Sequence, residues 1–304
     1  MLRLAMTTDA ETFDRVRGPL ADRGIAVDHV QAKERALRVS GGGDHEAGGN
    51  GVGGDADGEF GGFDAGFVYP SRLMEGAVVD ARLSVPWVND REAVLTSRNK
   101  AGVLAALDDA GLPTPRTTMV SNPVDEAVVT EAVEPLSYPV VVKPNSATRG
   151  VGVATATDLD SLLGVVDYLN LVHDYRATGD KSYLIQEFLP DARDYRAMVV
   201  DGAYVGAVER ALPADAVAAG RWKHNVHRGA EATGVDLPER ARELAERTAE
   251  TLGIDYLGVD LLEADGRLVV NETNARPTVD AATKYEPGFY DRLAALIERT
   301  AATE

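Results

Sequence analysis

The sequence predicts an α+β protein, and three observations carry that prediction. The first ninety residues alternate short apolar strands with a helix, the pattern of a small α/β lobe. Two long β patterns, 194–210 and 256–274, then fold back on the Asp-Gly pairs Asp201-Gly202 and Asp265-Gly266, a hairpin turn signal. Helical periodicity precedes them at 123–133 and 158–170, separates them at 237–253 and follows them at 289–302.

Taken in order, residues 2–7 (LRLAMT) read as a buried strand and 10–22 as a helix. Residues 25–31 and 35–40 carry the β-branched alternation of strands. The tract 41–62 follows, with eleven glycines and five acids. It cannot bury enough apolar surface to offset ordering entropy, so it is expected to be a flexible insert. FDAGFVYP (63–70) resumes as a strand. One helix is expected over 91–110, ended by Gly111 and blocked by Pro113 and Pro115. Strands are expected at 117–120, 138–144, 153–157 and 183–189. There is no internal repeat. The expected division is a lobe at 1–90, a central subdomain at 91–185 and a C-terminal subdomain at 186–304.

Composition limits function. The chain has 304 residues and a net charge of −18, from 31 basic and 49 acidic side chains. A nucleic-acid binder normally presents a basic face, so that role is disfavoured. No apolar run approaches the roughly eighteen residues of a membrane span, and the N-terminus lacks a signal-peptide core. Cysteine is absent, which removes disulfides, thiolate catalysis and cysteine-type metal sites. The expected compartment is the cytoplasm. Only six of the basic residues are lysines. An acidic, lysine-poor surface points to a salt-loving cytoplasm, such as that of a halophilic archaeon; GC-rich codons also exchange lysine for arginine.

Four motifs carry chemistry. In YPVVVKPNSATRGVGV (138–153) a strand delivers Lys143, and Gly150 and Gly152 then let backbone N–H groups approach phosphate oxygens. The lysine precedes the glycines and no helix follows directly, so this is no Walker loop; a plain glycine-rich hairpin is the alternative. In the second motif, Asp260 lies on one strand of a hairpin, with Glu272 and Asn274 on the return strand. Residues i and i+2 share a face, and a turn at 265–266 sets Asp260 close to opposite Glu272 or its neighbour. Two carboxylates and an amide oxygen suit magnesium bridging nucleotide phosphates, although acids on a hairpin are more often solvated. The third, QEFLPDARDYR, ends a strand at Gln186, Glu187, Phe188 and Leu189 and places Asp194 and Arg196 on one face of the next. Such a strand exit can read adenine through its backbone. The fourth, WKHNVHRGA (222–230), gathers Lys223, His224, Asn225, His227 and Arg228, a cluster that invites an anion or forms a solvated loop.

Together, with the helix of SRNKAGVLAALDDAGLPTP that bears Lys100, these motifs resemble the ATP-grasp superfamily and within it the RimK-like glutamate-ligase branch, over about 90–300. The resemblance implies an ATP-grasp fold: a small α/β lobe, a central lid-like subdomain and a β-rich C-terminal subdomain. It implies that Lys100 and Lys143 hold ATP phosphates beneath the 145–152 loop. Gln186, Glu187 and Phe188 would form the adenine hinge, Asp194 would meet the ribose, and Lys223, His224 and Asn225 would lie near the γ-phosphate. Asp260, Glu272 and Asn274 would bind two magnesium (or manganese) ions. Arg196, Arg210, Arg228 and Arg276 would neutralise the carboxylate or its acyl phosphate. The implied reaction is ATP-dependent amide formation between a small-molecule or peptide carboxylate and an amino-acid amine such as glutamate. Another ATP-grasp branch, or a nucleotide-binding regulator without turnover, is the alternative; a dinucleotide oxidoreductase lacks its G-x-G-x-x-G between strand and helix. After NETN the sequence Ala275-Arg276-Pro277-Thr278-Val279 departs from the small residues and glycine usual in that branch, so the family's substrate does not transfer. The sequence is compatible with a homo-oligomer.

Overall fold

The structure, a computed structural model, describes residues 1–37, 39, 59–148, 150–172, 180–224, 226, 229–281 and 284–303. Most of the glycine-rich insert, 41–58, and the candidates Asn225 and Arg228 lie outside the described residues. The chain forms two compact units: 1–91 with 278–281 and 287–304, and 92–277 with 282–286.

In the first unit β1 (Leu2–Met6) pairs in parallel with β2 (Ile25–His29) on one side and β3 (Ala65–Phe67) on the other. Leu4, Ala5, Met6, Ala65 and Phe67 are all buried, as expected of a parallel sheet covered on both faces. Helices α1 (Glu11–Ala21) and α2 (Leu73–Leu83) belong to this unit, as does the last helix of the chain, Phe289–Ala301. Of the strand expected over 35–40, the described residues 35–37 and 39 lie outside any strand; local alternation alone does not make a strand. The helix α2 was missed because its apolar residues follow a loop and lack a capping signal.

The second unit holds two antiparallel sheets. The expected single helix over 91–110 is two, α3 (Arg91–Arg98) and α4 (Lys100–Asp109), broken at Asn99. Asn99 leaves helical geometry and its Oδ1 accepts from Gly102 N at 3.1 Å, capping α4. The four-stranded sheet runs β4–β7–β5–β6, from β4 (Thr117–Ser121), β5 (Val140–Pro144), β6 (Ala154–Ala156) and β7 (Ser182–Glu187). Helices α5 (Glu126–Val133) and α6 (Leu159–Val172) pack Val129, Val133, Leu162, Val166 and Leu169 against its Val140, Val142 and Ile185.

The five-stranded sheet runs β10–β9–β8–β11–β12, from β8 (Arg193–Val200), β9 (Ala203–Ala211), β10 (Glu231–Val235), β11 (Tyr256–Ala264) and β12 (Arg267–Asn274). Both Asp-Gly turns are where the sequence set them, with Asp201, Gly202, Asp265 and Gly266 all at positive φ. The short helix α7 (Ala214–Ala218) and the edge strand β10 were not anticipated. Helix α8 (Glu239–Leu252) buries Ala241, Leu244, Ala245, Thr248 and Ala249, an i, i+3, i+4 stripe. It ends on Gly253, in left-handed geometry with φ 63°. Arg240 of α8 pairs with Glu263, which also accepts from Tyr195. The helix therefore covers the sheet face of Tyr195, Ala197 and Val259, and the opposite face carries the polar side chains. The remaining helix, α9 (Phe289–Ala301), closes the chain.

Within the first unit Trp87 stacks over Gly66, where an added Cβ would lie 2.4–2.7 Å from three ring carbons. The ring cannot swing away freely. Its Nε1 donates to Asp80 Oδ1 (2.8 Å), and Tyr69, edge-on to it at 4.9 Å, donates to Asp80 Oδ2 (3.0 Å). Gly66→Ala is therefore expected to lower stability by about 1–3 kcal/mol, the range for overpacking. Urea denaturation measures it, and an unchanged midpoint would mean the Trp87 ring is not fixed.

Candidate active site

The polar face of the five-stranded sheet is ordered by strand register. Directly opposed residues share a face, so one row crosses all five strands as Gly234, Val208, Arg196, Asp260 and Glu272. A parallel row carries Ala232, Arg210, Asp194 and Leu262, and a third carries Gly206, Met198, Gly258 and Asn274. The hairpin arithmetic of the sequence places Asp260 opposite Glu272 or its neighbour; a bulge shifts the register by one residue and makes Asp260 and Glu272 partners. Asp260, Glu272 and Asn274 thus present their oxygens on one face.

Arginine forks organise the acids. Arg196 grips Asp260 with Nε to Oδ1 at 2.7 Å and Nη2 to Oδ2 at 2.8 Å. Arg210, itself buried, reaches Asp260 Oδ2 at 3.1 Å and Asp194 Oδ1 from Nε at 2.9 Å. Burial opposes ionisation of Asp260, yet Arg196 and Arg210 outweigh it and hold its pKa at about 2. For Asp194 burial wins over the attraction of Arg210, and the nearby Asp260 adds to it, so its pKa is pushed up to about 6. His224 lies 3.7 Å from Asp194 Oδ2, and burial with the charge of Arg210 lowers its pKa.

Two buried lysines complete the cluster. The Lys100 ammonium donates to Ala147 O at 2.5 Å and Asn145 O at 3.4 Å, and pairs with Glu272 Oε1 at 3.2 Å. Asn145 ties the same loop to α4: its Oδ1 accepts from Ala101 N (2.8 Å) and its Nδ2 donates to Asn99 Oδ1 (2.9 Å). Lys143 donates to Asn271 Oδ1 at 3.2 Å. Asn271 is the extra residue of a β-bulge, because Asp260 pairs with Glu272 while Leu261 pairs with Val270. A bulge re-aims a side chain that strict alternation would turn to the other face. Burial lowers the Lys143 pKa to about 8; Glu272 and Asp260 only partly oppose this, and Lys100 adds to it.

The other candidates take varied positions. Gly150 and Gly152 adopt φ of 65° and 74°, a left-handed geometry that favours glycine. Lys223 donates to Val153 O and lies over the Trp222 ring, holding the end of that loop. Phe188 stacks edge-on against Trp222 at 5.7 Å. Gln186 donates to Thr117 Oγ1 (2.8 Å). The Glu187 carboxylate is buried and accepts from Arg116 N (2.8 Å), Arg116 Nε (3.1 Å) and Arg267 Nη2 (2.6 Å). It thereby ties β7 to β12 across the two sheets. Arg276 donates its backbone N–H to Asn274 Oδ1 at 2.9 Å. Sequence reasoning missed Asn99, Asn145, Asn271, Arg116 and Arg267. Asn99 and Asn145 lie beside motif lysines, the one signal that could have found them.

Near the loop, four cations (Lys100, Lys143, Arg196 and Arg210) outnumber three carboxylates (Asp194, Asp260 and Glu272). A local cationic excess within an acidic chain is suited to a polyanion. Among the described residues no group of three or more His, Cys, Asp or Glu side chains forms a metal cluster. A hard-oxygen set exists only with the Asn274 amide. Asp260 stays ionised, and Glu272 uses Oε1 for Lys100. Such a set fits a small divalent ion that completes its shell with water and phosphate oxygens.

Solved structures of ATP-grasp proteins share this architecture. A RimK domain ATP-grasp protein from Sphaerobacter thermophilus DSM 20745 superposes with a TM-score of 0.67 over 99% of this chain and 100% of that one, at 22% identity. The chain belongs to the RimK-like ATP-grasp domain family, whose model matches residues 97–288. It is 32% identical over 199 residues to a probable alpha-L-glutamate ligase of Enterobacter sp. (strain 638), covering 65% of this chain and 62% of that protein. It is 31% identical, over the same shares, to the ribosomal protein bS6--L-glutamate ligase of Salmonella paratyphi B. The matched region thus spans 62% of the length of these relatives. Among the described residues no helix is long and apolar enough to cross a membrane.

The depressed pKa of Lys143 has a consequence for stability. The folded state holds that proton less tightly than the unfolded chain, whose lysine keeps the ordinary value of 10.5. The penalty is complete below about pH 8 and fades as pH rises towards 10.5. Lys143→Met is therefore expected to stabilise the protein by up to about 3 kcal/mol at pH 7, with the gain vanishing near pH 10.5. Denaturant titrations across that window test this, and a gain independent of pH would contradict it.

Proposed function

We propose that the protein is an ATP- and magnesium-dependent carboxylate–amine ligase that forms an amide or peptide bond through an acyl phosphate. One observation carries the reading. The register row that bears Asp260 and Glu272 meets both buried lysines and both arginine forks on one sheet face, beside a glycine loop. Lys100 and Lys143 would bind ATP phosphate oxygens under the 145–152 loop, and Lys223, His224 and Asn225 would contact the nucleotide near the γ-phosphate. Gln186, Glu187 and Phe188 would border the adenine. The pinned Glu187 side chain would fix that hinge while its backbone faces the base. Asp194, in contact with Arg210, would orient that arginine as well as meet the ribose.

Asp260, Glu272 and Asn274 would hold the magnesium, which supplies charge neutralisation at the γ-phosphate. A substrate carboxylate oxygen attacks the γ-phosphorus and ADP leaves. The amine nitrogen then attacks the acyl carbon, phosphate leaves, and the amine loses a proton to solvent. Arg196, Arg210, Arg228 and Arg276 would stabilise the acyl phosphate. The chain's work is positioning and charge neutralisation, with no protein nucleophile. The relatives named as glutamate ligases support an amino-acid amine; that one of them is named for a ribosomal protein supports a peptide end as one acid. The acidic, lysine-poor surface supports assays in concentrated potassium chloride.

ADP release is expected only when a carboxylate and an amine are both present, in a screen over pooled acids and amines with magnesium. Equal release without either would favour a simple ATPase. Glu272→Gln keeps the shape but removes the charge, so ATP affinity should fall about tenfold, or ~1.4 kcal/mol. Turnover should fall roughly a hundredfold or more, because phosphoryl transfer depends on the metal charge. Calorimetry and ADP release on one preparation separate the two effects. Unchanged turnover would sink the metal assignment.

A further inference from the structure

Hydrogen-bond capacity is spent unequally by the two buried lysines. An ammonium has three hydrogens to give. Lys100 already faces three acceptors, Ala147 O, Asn145 O and Glu272 Oε1, so a phosphate oxygen must displace one of them. Lys143 donates to Asn271 Oδ1 at 3.2 Å and, among the described residues, makes no other hydrogen bond. Its remaining hydrogens are uncommitted on a charge that is only 4% exposed. The same contact fixes the amide of Asn271. A lysine can only donate, so Oδ1 must face it, and Nδ2 with its two hydrogens occupies the other branch. Among the described residues no acceptor meets that Nδ2. The side chain is half-buried, and Nδ2 is not among the polar atoms sealed in the interior without a partner. It is open to a ligand.

The residue type and the backbone agree with such a use. An aspartate here would pair with Lys143 and cancel the charge that draws an anion. An apolar side chain would leave the ammonium without its acceptor. Asparagine satisfies the lysine, leaves its charge uncancelled and adds a neutral donor beside it. The bulge brings this amide to Lys143 of β5 while Glu272, the next residue, takes the place opposite Asp260 and meets Lys100. Lys143 and Asn271 thus present free donors side by side, next to the acids assigned to the metal.

We propose that Asn271 is a nucleotide-binding residue in its own right: Oδ1 holds Lys143, and Nδ2 donates to a phosphate oxygen that the same lysine holds. This rests on the ligase reading, which supplies the nucleotide. The alternative is a prop, an amide that does nothing except fix Lys143. The two differ in what remains once Lys143 is removed.

The test is a double-mutant cycle on the intact protein, read as the affinity of a non-hydrolysable ATP analogue with magnesium by calorimetry. Asn271→Leu is expected to weaken the analogue by about tenfold or more, the worth of a hydrogen bond to a charged group. A loss of about the same size is expected when Lys143 is already methionine. A prop would cost nothing in that background, so an unchanged affinity there overturns the proposal. Asn271→Asp keeps the acceptor for Lys143 and loses the donor; binding as tight as in the wild type would also overturn it. Adenosine, measured by displacement of the analogue, should bind Asn271→Leu as it binds the wild type. An equal loss for adenosine would put the donor on the base or ribose and overturn the phosphate contact. Urea midpoints check that each variant folds; if Asn271→Leu does not, Asn271→Ala removes the same amide without added bulk. If the wild type itself fails to bind the analogue, the ligase reading falls and this proposal with it; failure of the cycle alone leaves that reading standing.

Discussion

A buried ammonium must find partners, and the site is built around two of them. Lys100 and Lys143 are 5% and 4% exposed, and an isolated charge at such depth costs several kcal/mol. Lys100 is met by two carbonyls and Glu272, Lys143 by the Asn271 amide. Two irregularities of the backbone serve that requirement. The break at Asn99 starts a new helix at Lys100 and frees an asparagine to bind Asn145, whose loop supplies the carbonyls. The bulge at Asn271 turns an amide towards Lys143. Neither departure is explained by the packing of its own element; both follow from the charge that each accompanies.

The same constraint governs the acids. Asp194 and Asp260 share Arg210, and Asp260 has Arg196 besides. With two forks against one carboxylate, Asp260 stays ionised, while Asp194, left with half an arginine, is burdened by burial. The sheet thus holds one firmly charged carboxylate beside one near its titration point, with only Arg210 between them. The excess of cations on this face runs against a chain charge of −18. Beyond a Debye length, about 8–10 Å in physiological salt, the remote acids are screened, so the local field decides what binds here.

Much of this was legible in the sequence because it depends on turns. The Asp265-Gly266 turn and the period of two make Glu272 and Asn274 share a face and bring Asp260 near them. Strict pairing from that turn would set Asp260 opposite Asn271, and only the bulge at Asn271 makes Glu272 its partner. The hairpin at Asp201-Gly202 was legible in the same way. Features that depend on contacts between separate segments were not. The pairing of Arg210 with Asp194 and Asp260 requires knowing that β8 lies between β9 and β11. The grip of Arg116 and Arg267 on Glu187 joins residues 71 and 80 positions apart. Asn99 read as one more polar helix position, since an asparagine between two helical periods looks the same whether it interrupts a helix or sits on its exposed face. The strand expected at 35–40, whose described residues lie outside any strand, rested on local alternation alone, which does not decide pairing.

The two faces of the five-stranded sheet divide stability from chemistry. Tyr195, Ala197, Val259 and Leu261 are buried on the face that α8 covers, and they supply the apolar burial that holds the sheet. The other face gives up that contribution: it carries charges in two rows and glycines at 206, 234 and 258, and glycine weakens a strand. At the glycine positions that face is covered by Pro277 over Gly258 and by Lys284 and Tyr285 over Gly206 and Gly234. The forks Arg196 and Arg210 lie on β8 and β9 of that face, and the lysines reach it from outside the sheet, Lys143 from β5 and Lys100 from α4.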